Sequence, residues 1–267
     1  MSTVARSAKV EGGQQKHQGI MKSTDRHKLK ENEFAHTVAR TREMVNSRSR
    51  EVTTIAIAVL VVAVALGGFL GWKASRDSKS TTLLASALAV AEAPIVTPPP
   101  PAPGSAPPIQ PPGSYRSERE RLDAAVPLLQ RAADAFPGSD AGITARYRLA
   151  ASLAELGRFA EAEQRYQEVV QKTGAKDIYH YTARLGVGEA QLAQSKGDAA
   201  LTTFRDLASD TNSRLPVDGV LMQLGRAAVL AGKKDDAARA FTRVVDEFPQ
   251  SLYVSEAKEK VAQLKKA

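Results

Sequence analysis

LGRAAVLAGKKDDAARAFTRVVDEFP, residues 224–249, decides the fold of this 267-residue chain. Small and apolar residues recur at helical spacing on both sides of Gly232. The stretch therefore reads as two helices joined by a tight turn. Glycine suits that turn because it takes left-handed backbone at little steric cost. The first helix offers Leu224 and Gly225, the second Ala237 and Phe241, then Val244 and Val245. Two helices that pack closely need small residues where their backbones approach. Aromatic rings then fill the gap toward a neighbouring unit.

The same pattern recurs upstream. Ala162/Tyr166, Ala200/Phe204 and Ala237/Phe241 follow one another at steps of 38 and 37 residues. A weaker copy, Ala125/Leu129, lies 37 residues before the first. A fixed period of this size predicts a stack of helix pairs. The leading helices carry Leu149-Ala150, Val187-Gly188 and Leu224-Gly225; turn glycines stand at 157 and 232. Ser195 occupies the middle unit's turn position, with Gly197 two residues on, so that turn is less well defined. Phe136-Pro137 and Phe248-Pro249 close units alike, each followed by a serine, Ser139 or Ser251. The last stretch, 251–265, reads as a polar-faced helix that caps the stack. The first unit lacks a leading helix in this reading, and Pro127 is expected to kink or delay its remaining helix.

Working outward, the chain falls into segments of contrasting composition. Residues 52–72 carry no charge; Val52 opens the run and Trp72 closes it. At about 1.5 Å per residue the run matches the roughly 30 Å hydrocarbon core of a bilayer. It is too long, and too far from the N-terminus, for a cleaved signal peptide. The fold expected is therefore all-α: a single transmembrane helix plus a C-terminal α-solenoid of helix hairpins. The predicted order is a disordered basic tail (1–28), a cytoplasmic amphipathic segment (29–51), the transmembrane helix (52–72), a helical juxtamembrane segment (73–93), a proline-rich linker (94–113) and the repeat domain (114–267). The linker holds ten prolines, four of them consecutive at 98–101. It is expected to act as an extended spacer, reaching up to about 60 Å. A proline-rich ligand is the alternative. Translation starts at Met1 or at Met21, whose following residues KSTDRHKLKENEF read like a natural start.

The net charge is +8, and an excess of five basic residues falls in the first 51. Beside an apolar span, a basic tail points to the anionic membrane surface rather than to nucleic acid. Arg40, Arg42, Arg48 and Arg50 precede the span, and Lys73, Arg76 and Lys79 follow it. The bias places the N-terminus in the cytoplasm. The C-terminal domain then lies in the periplasm of a two-membrane bacterium, and the span in the inner membrane. Ala63, Gly67 and Gly71 recur every fourth residue and would permit a homo-oligomeric helix contact.

No constellation in the chain carries catalysis. There is no cysteine, which excludes disulfides and thiolate chemistry. The four histidines, His17, His27, His36 and His180, have no metal-ligand spacing. Gly186-Val187-Gly188 has no preceding strand and is a false match to a nucleotide loop. Asp235 and Asp236 fall where they favour a helix N-terminus. No enzyme activity, cofactor or metal is expected.

These repeat residues resemble the tetratricopeptide repeat family over residues 121–267. The stretch 224–249 carries the leucine–glycine pair, the turn glycine, the alanine, the aromatic and the closing proline in the family's order. The period is longer than the family's, and its tryptophan is missing. The layout resembles that of single-pass, translocon-associated tetratricopeptide proteins of Gram-negative bacteria, described as ancillary to the SecYEG channel. That resemblance implies a non-enzymatic scaffold with the Sec translocon or periplasmic chaperones as partners. The alternative is an architectural adaptor of a cell-envelope or cell-division complex. The resemblance also implies a protein-binding concave face formed by the leading helices: Tyr147, Ala151 and Glu155; Leu185, Glu189 and Leu192; and Met222, Arg226 and Val229.

Overall fold

The computed structural model describes residues 49–98 and 109–266; the expectations for the N-terminal tail, the amphipathic segment and Met21 fall outside these residues. The chain divides into two compact units, 1–69 and 70–267. Among the described residues every regular element is helical, and an isolated bridge joins Ile95 to Tyr115. The elements are α1 (Ser49–Ala91), α2 (Glu118–Ala135), α3 (Asp140–Glu155), α4 (Phe159–Lys172), α5 (Ile178–Ala193), α6 (Gly197–Ser209), α7 (Val217–Leu230), α8 (Lys234–Glu247) and α9 (Val254–Lys266).

In the first unit, the described residues are the start of α1. Their apolar side chains, Ile55 and Leu60 to Phe69 among them, are exposed rather than buried in a core. One stretch, Thr53–Ala91, is long and apolar enough to cross a membrane.

The second unit is a stack of antiparallel helix pairs. Short turns dictate this arrangement. Ser117, Ser139 and Asp177 each accept a backbone N–H at the start of α2, α3 and α5, which satisfies a donor that a helix start leaves orphaned. Gly157 and Gly232 turn the chain with φ of +78° and +73°. Ser195 adopts φ +59° at the equivalent place, so the middle turn has the same left-handed geometry without glycine.

The core forms where the small–aromatic pairs meet the leading helices. Ala162, Ala200, Phe204, Ala237 and Phe241 are fully buried, and Tyr166 nearly so. A Cβ added to Gly186 would lie 2.6 Å from the Tyr166 ring, and one added to Gly188 would lie 2.5 Å from that of Phe204. Gly225 meets Phe241 in the same way. The glycines are thus required by ring contact, not by backbone angle.

Three expectations from the sequence are corrected by the packing. The first repeat does have a leading helix: the C-terminal half of α1. Leu83 and Leu84 pack against Ala132 and Ala133, and Ala87 is fully buried in one cluster with Ala125 and Leu129. The described ends of the proline-rich segment lie side by side, so the expected separation of up to about 60 Å between the preceding helix and the repeat domain does not occur. Those ends are tied together: Val96 N–H donates to the Tyr115 carbonyl (2.8 Å) and Tyr115 N–H to the Pro94 carbonyl (3.0 Å). Burial of the apolar stripe of α1 on α2 draws the two ends into this neck, and an extended chain between them cannot separate what packing joins. Finally, Pro127 does not delay α2, which begins nine residues before it and continues past it. The proline denies a partner to the carbonyl of Asp123. Both residues are exposed, so water can serve that carbonyl.

A buried polar knot sets the register between neighbouring units. Glu163 of α4 is 9% exposed and accepts hydrogen bonds from Gln191 (2.9 Å), Gln194 (2.9 Å) and Lys196 (2.8 Å). Thr203 of α6 donates to the other end of Gln191 at 2.8 Å. Burial pushes the Glu163 carboxyl up, but the Lys196, Gln191 and Gln194 hydrogen bonds outweigh it and hold the group below its ordinary value. Arg146, also buried, joins the Ala133 carbonyl (3.0 Å) to Glu168 (2.9 Å).

Candidate functional site: the inner face

The leading helices α3, α5 and α7 contact one another directly from unit to unit. In repeat stacks of this kind such a row of mutually contacting helices is expected to line the concave surface.

Each residue expected on this face has a definite place. Tyr147 is half-buried and belongs to an aromatic cluster, with ring centroids 5.6 Å from Tyr166 and 5.0 Å from Tyr179. Burial pushes the Tyr166 hydroxyl well up, and Tyr147 adds to the effect. Ala151 and Glu155 line a cavity of about 310 Å³, shared with Leu88 and Glu92 of the α1 end and Arg121 of α2. Leu185 and Leu192 are half-buried and pack onto the core of the second half of the stack. Glu189, Arg226 and Val229 are exposed.

Met222 departs from the expectation. It is 1% exposed and sits in the core. The neighbouring Gln223 takes the inward position instead. One residue of helix is about 100° of rotation, so a register carried along a chain of unequal turns slips by that much.

Four side chains make a polar ladder across α5, α7 and α9. Gln223 Nε2 donates to Glu189 of α5 at 3.3 Å. Arg226 donates to Gln223 at 3.3 Å and to Glu256 of α9 at 2.8 Å. Glu189 is an exposed residue, yet the surrounding protein partly desolvates its carboxyl. That desolvation raises its carboxyl above the ordinary value; the Gln223 hydrogen bond and the Arg226 charge counter it only in part. At the other end, Arg148 of α3 pairs with Glu92 at 3.8 Å. Gln223, Glu256, Leu88, Glu92 and Arg148 were not legible as site residues. The sequence signal for Leu88 and Glu92 is the apolar spacing of 83–91, which reads equally well as an ordinary stalk helix.

Among the described residues no group of three or more His, Asp or Glu side chains could hold a metal ion. His180 serves the fold: its Nδ1 lies 3.1 Å from the Thr173 carbonyl oxygen. Asp235 and Asp236 lie in the first turn of α8, and Asp236 pairs with Arg205 of α6 at 3.1 Å.

Comparison with known proteins agrees with this geometry. Tetratricopeptide repeat models match residues 117–180 and 220–251. Tetratricopeptide repeats are therefore recognised in this chain, and such repeats form protein–protein interaction scaffolds. Neither matched model is of a catalytic family. Similar solved structures include a Podosopora anserina putative kinesin light chain with nearly identical TPR-like repeats. It has 15% identity and a TM-score of 0.44, covering 54% of this chain and 86% of that one. Another is MamA from Desulfovibrio magneticus RS-1, from residue 41 to its end. It has 17% identity and a TM-score of 0.42, covering 55% and 86%. No curated protein matches the sequence.

Proposed function

We propose that this chain is a membrane-anchored platform that binds segments of other proteins on the inner face of its repeat stack. Residues 52–72 tether it, and the repeats lie outside the cytoplasm. There it assists protein translocation or chaperone hand-off at the Sec channel. The observation that carries the binding role is the ladder from Glu189 through Gln223 and Arg226 to Glu256. It presents carboxylates and a guanidinium side by side beside the exposed Val229. Such a mixture of charge and apolar anchor suits an extended or helical peptide. The case for the tether is that the span's apolar side chains are exposed rather than packed in a core.

A photo-crosslinking residue placed at Val229 or Glu155 in the native membrane tests this directly. Channel subunits, chaperones or translocating clients are expected among the adducts, and Arg226→Glu should reduce their yield. Adducts that are insensitive to Arg226→Glu at both positions refute the chosen face. Division or envelope-architecture proteins recovered in their place refute the translocation role.

A further inference from the structure

A cavity of about 480 Å³ lies between the turn after α4 (residues 173–177) and the turn after α6 (residues 210–216). That volume falls within the roughly 300–1,000 Å³ of ligand sites. Its apolar lining comes from Ile178, the first residue of α5, and from Leu215, just before α7. Leu215 packs on a small buried cluster of Tyr181, Leu207 and Val220, which gives the cavity a fixed base. Ile178 is 75% exposed. Beside Leu215 it belongs to an apolar wall and is not a side chain scattered singly on the surface.

The cations of the lining are Lys176 on one turn and Arg214 on the other. Both are exposed, and neither makes an ion pair among the described residues. The carboxylates near them are engaged. Asp177, also in the lining, caps α5 by accepting the Tyr179 N–H at 2.8 Å. Asp210, which opens the second turn, holds Arg184 at 2.9 Å. The cavity thus joins an apolar wall to two uncompensated cations, one from each turn. Its complement is a carboxylate beside an aliphatic or aromatic side chain, a pairing that a peptide carries on adjacent residues.

The cavity is also aligned with the inner ladder. Thr182 lines it, and Glu189 follows seven residues later, nearly two turns of helix. The two therefore stand on one face of α5, about 10 Å apart. An extended peptide covers that distance in about three residues.

We propose that this cavity receives an acidic residue and its apolar neighbour from an extended segment of a partner protein, whose continuation crosses the inner ladder at Glu189 and Arg226. The proposal rests on the reading of the stack as a platform for protein segments, and it names the chemistry of the segment: Asp or Glu beside Leu, Ile or Phe. Lys176 and Arg214 select the carboxylate; Ile178 and Leu215 select the apolar side chain. Both cations sit on the rim, where charge supplies specificity more than affinity.

The test selects a random dodecapeptide display library on the full chain in nanodiscs, with empty nanodiscs as counter-selection. Peptides with an acidic residue beside an apolar one are expected to be enriched. A selected peptide with photo-leucine at its apolar position should crosslink to 175–182 or 212–215, mapped by peptide mass spectrometry. Lys176→Gln and Arg214→Gln should each weaken its binding up to about fivefold. Lys176→Glu combined with Arg214→Glu should abolish the acidic preference, with thermal unfolding unchanged because both side chains are exposed. Ile178→Ser should remove the apolar preference and keep the acidic one. Selected peptides that lack the acidic–apolar pair, or whose affinity is indifferent to the double charge reversal, overturn the cavity assignment. Crosslinks confined to 185–192 and 222–229 overturn it as well, while the inner-face platform stands. A library from which no peptide is enriched overturns both readings. Self-association of the chain that the double charge reversal abolishes assigns the cavity to a second copy and overturns the partner segment.

Discussion

Replacing Gly188 by alanine probes the packing rule on which the stack depends. The new methyl would lie 2.5 Å from Cζ of Phe204, 2.6 Å from Cε1 and 3.0 Å from Cε2. Phe204 is fully buried and has no exposed side toward which to move. Overpacking of a tight core costs about 1–3 kcal/mol. Alanine recovers about 1 kcal/mol through its better helix propensity. Contacts this short, with the ring fully buried, put the cost in the upper part of that range, about 2–3 kcal/mol, so the net expected loss is about 1–2 kcal/mol, a factor of about 5–30 in local opening. Amide hydrogen exchange read by mass spectrometry should show this acceleration in α5 and α6. Peptides of α2, two pairs away, should change little, because each pair contacts only its neighbours. Phe204→Leu shortens the ring and should make the double variant less damaged than the two single losses added together. Exchange in α5 and α6 that is unchanged or slowed by Gly188→Ala refutes the reasoning, since a glycine without a steric duty gains stability from this substitution.

Other consequences are checked as simply. The Glu163 carboxyl is held below its ordinary value when folded, so its stabilisation is complete above the unfolded pKa of about 4.3 and is lost as pH falls through the folded value. Hydrogen exchange in α4 and α5 should accelerate below about pH 4.5, and Glu163→Gln should weaken this pH dependence while costing about 1–3 kcal/mol at neutral pH. Ser195→Gly relieves a left-handed side chain and should stabilise the α5–α6 pair by about 0.5–1 kcal/mol, a gain in local protection that Ser195→Ala should not reproduce. Ala87→Asp buries an unpaired charge between α1 and α2 and should expose 73–95 to protease, while α6 to α9 resist as before. Arg226→Glu places three carboxylates along the inner ladder; capture of partner proteins should fall with little change in thermal unfolding, because the pair it breaks is solvent-exposed.

The proline-rich segment shows why a repeat read at fixed spacing fails at its first unit. One period upstream of the leading helix at Leu149 lies the proline tract, a composition that does not read as a helix. The helix that completes the pair lies further upstream, in the 83–91 stretch, and the tract is an insertion between the two members. Composition alone makes such a tract a spacer; whether it separates or loops depends on the surfaces at its two ends. The inner face was only partly legible for a similar reason. Counting along helices placed Glu189, Arg226 and Val229 at positions that are exposed, whereas Met222, one residue out of register, is buried. Gln223 and Glu256 are brought together only by the way the last helices stack.

Local chemistry written in the chain was enough for several features. Small–aromatic pairs at a constant period require paired helices, turn residues mark where they reverse, and an uncharged run of 21 residues has the length of a bilayer core. These follow from periodicity and composition, which act over a few residues. The tertiary structure decided the rest: that α1 itself completes the first pair, that Glu163 and Arg146 lock adjacent units, and which side chains face inward. Those outcomes depend on contacts between residues more than ten positions apart. Such contacts form only when burial of apolar surface outweighs the entropy of closing the intervening chain.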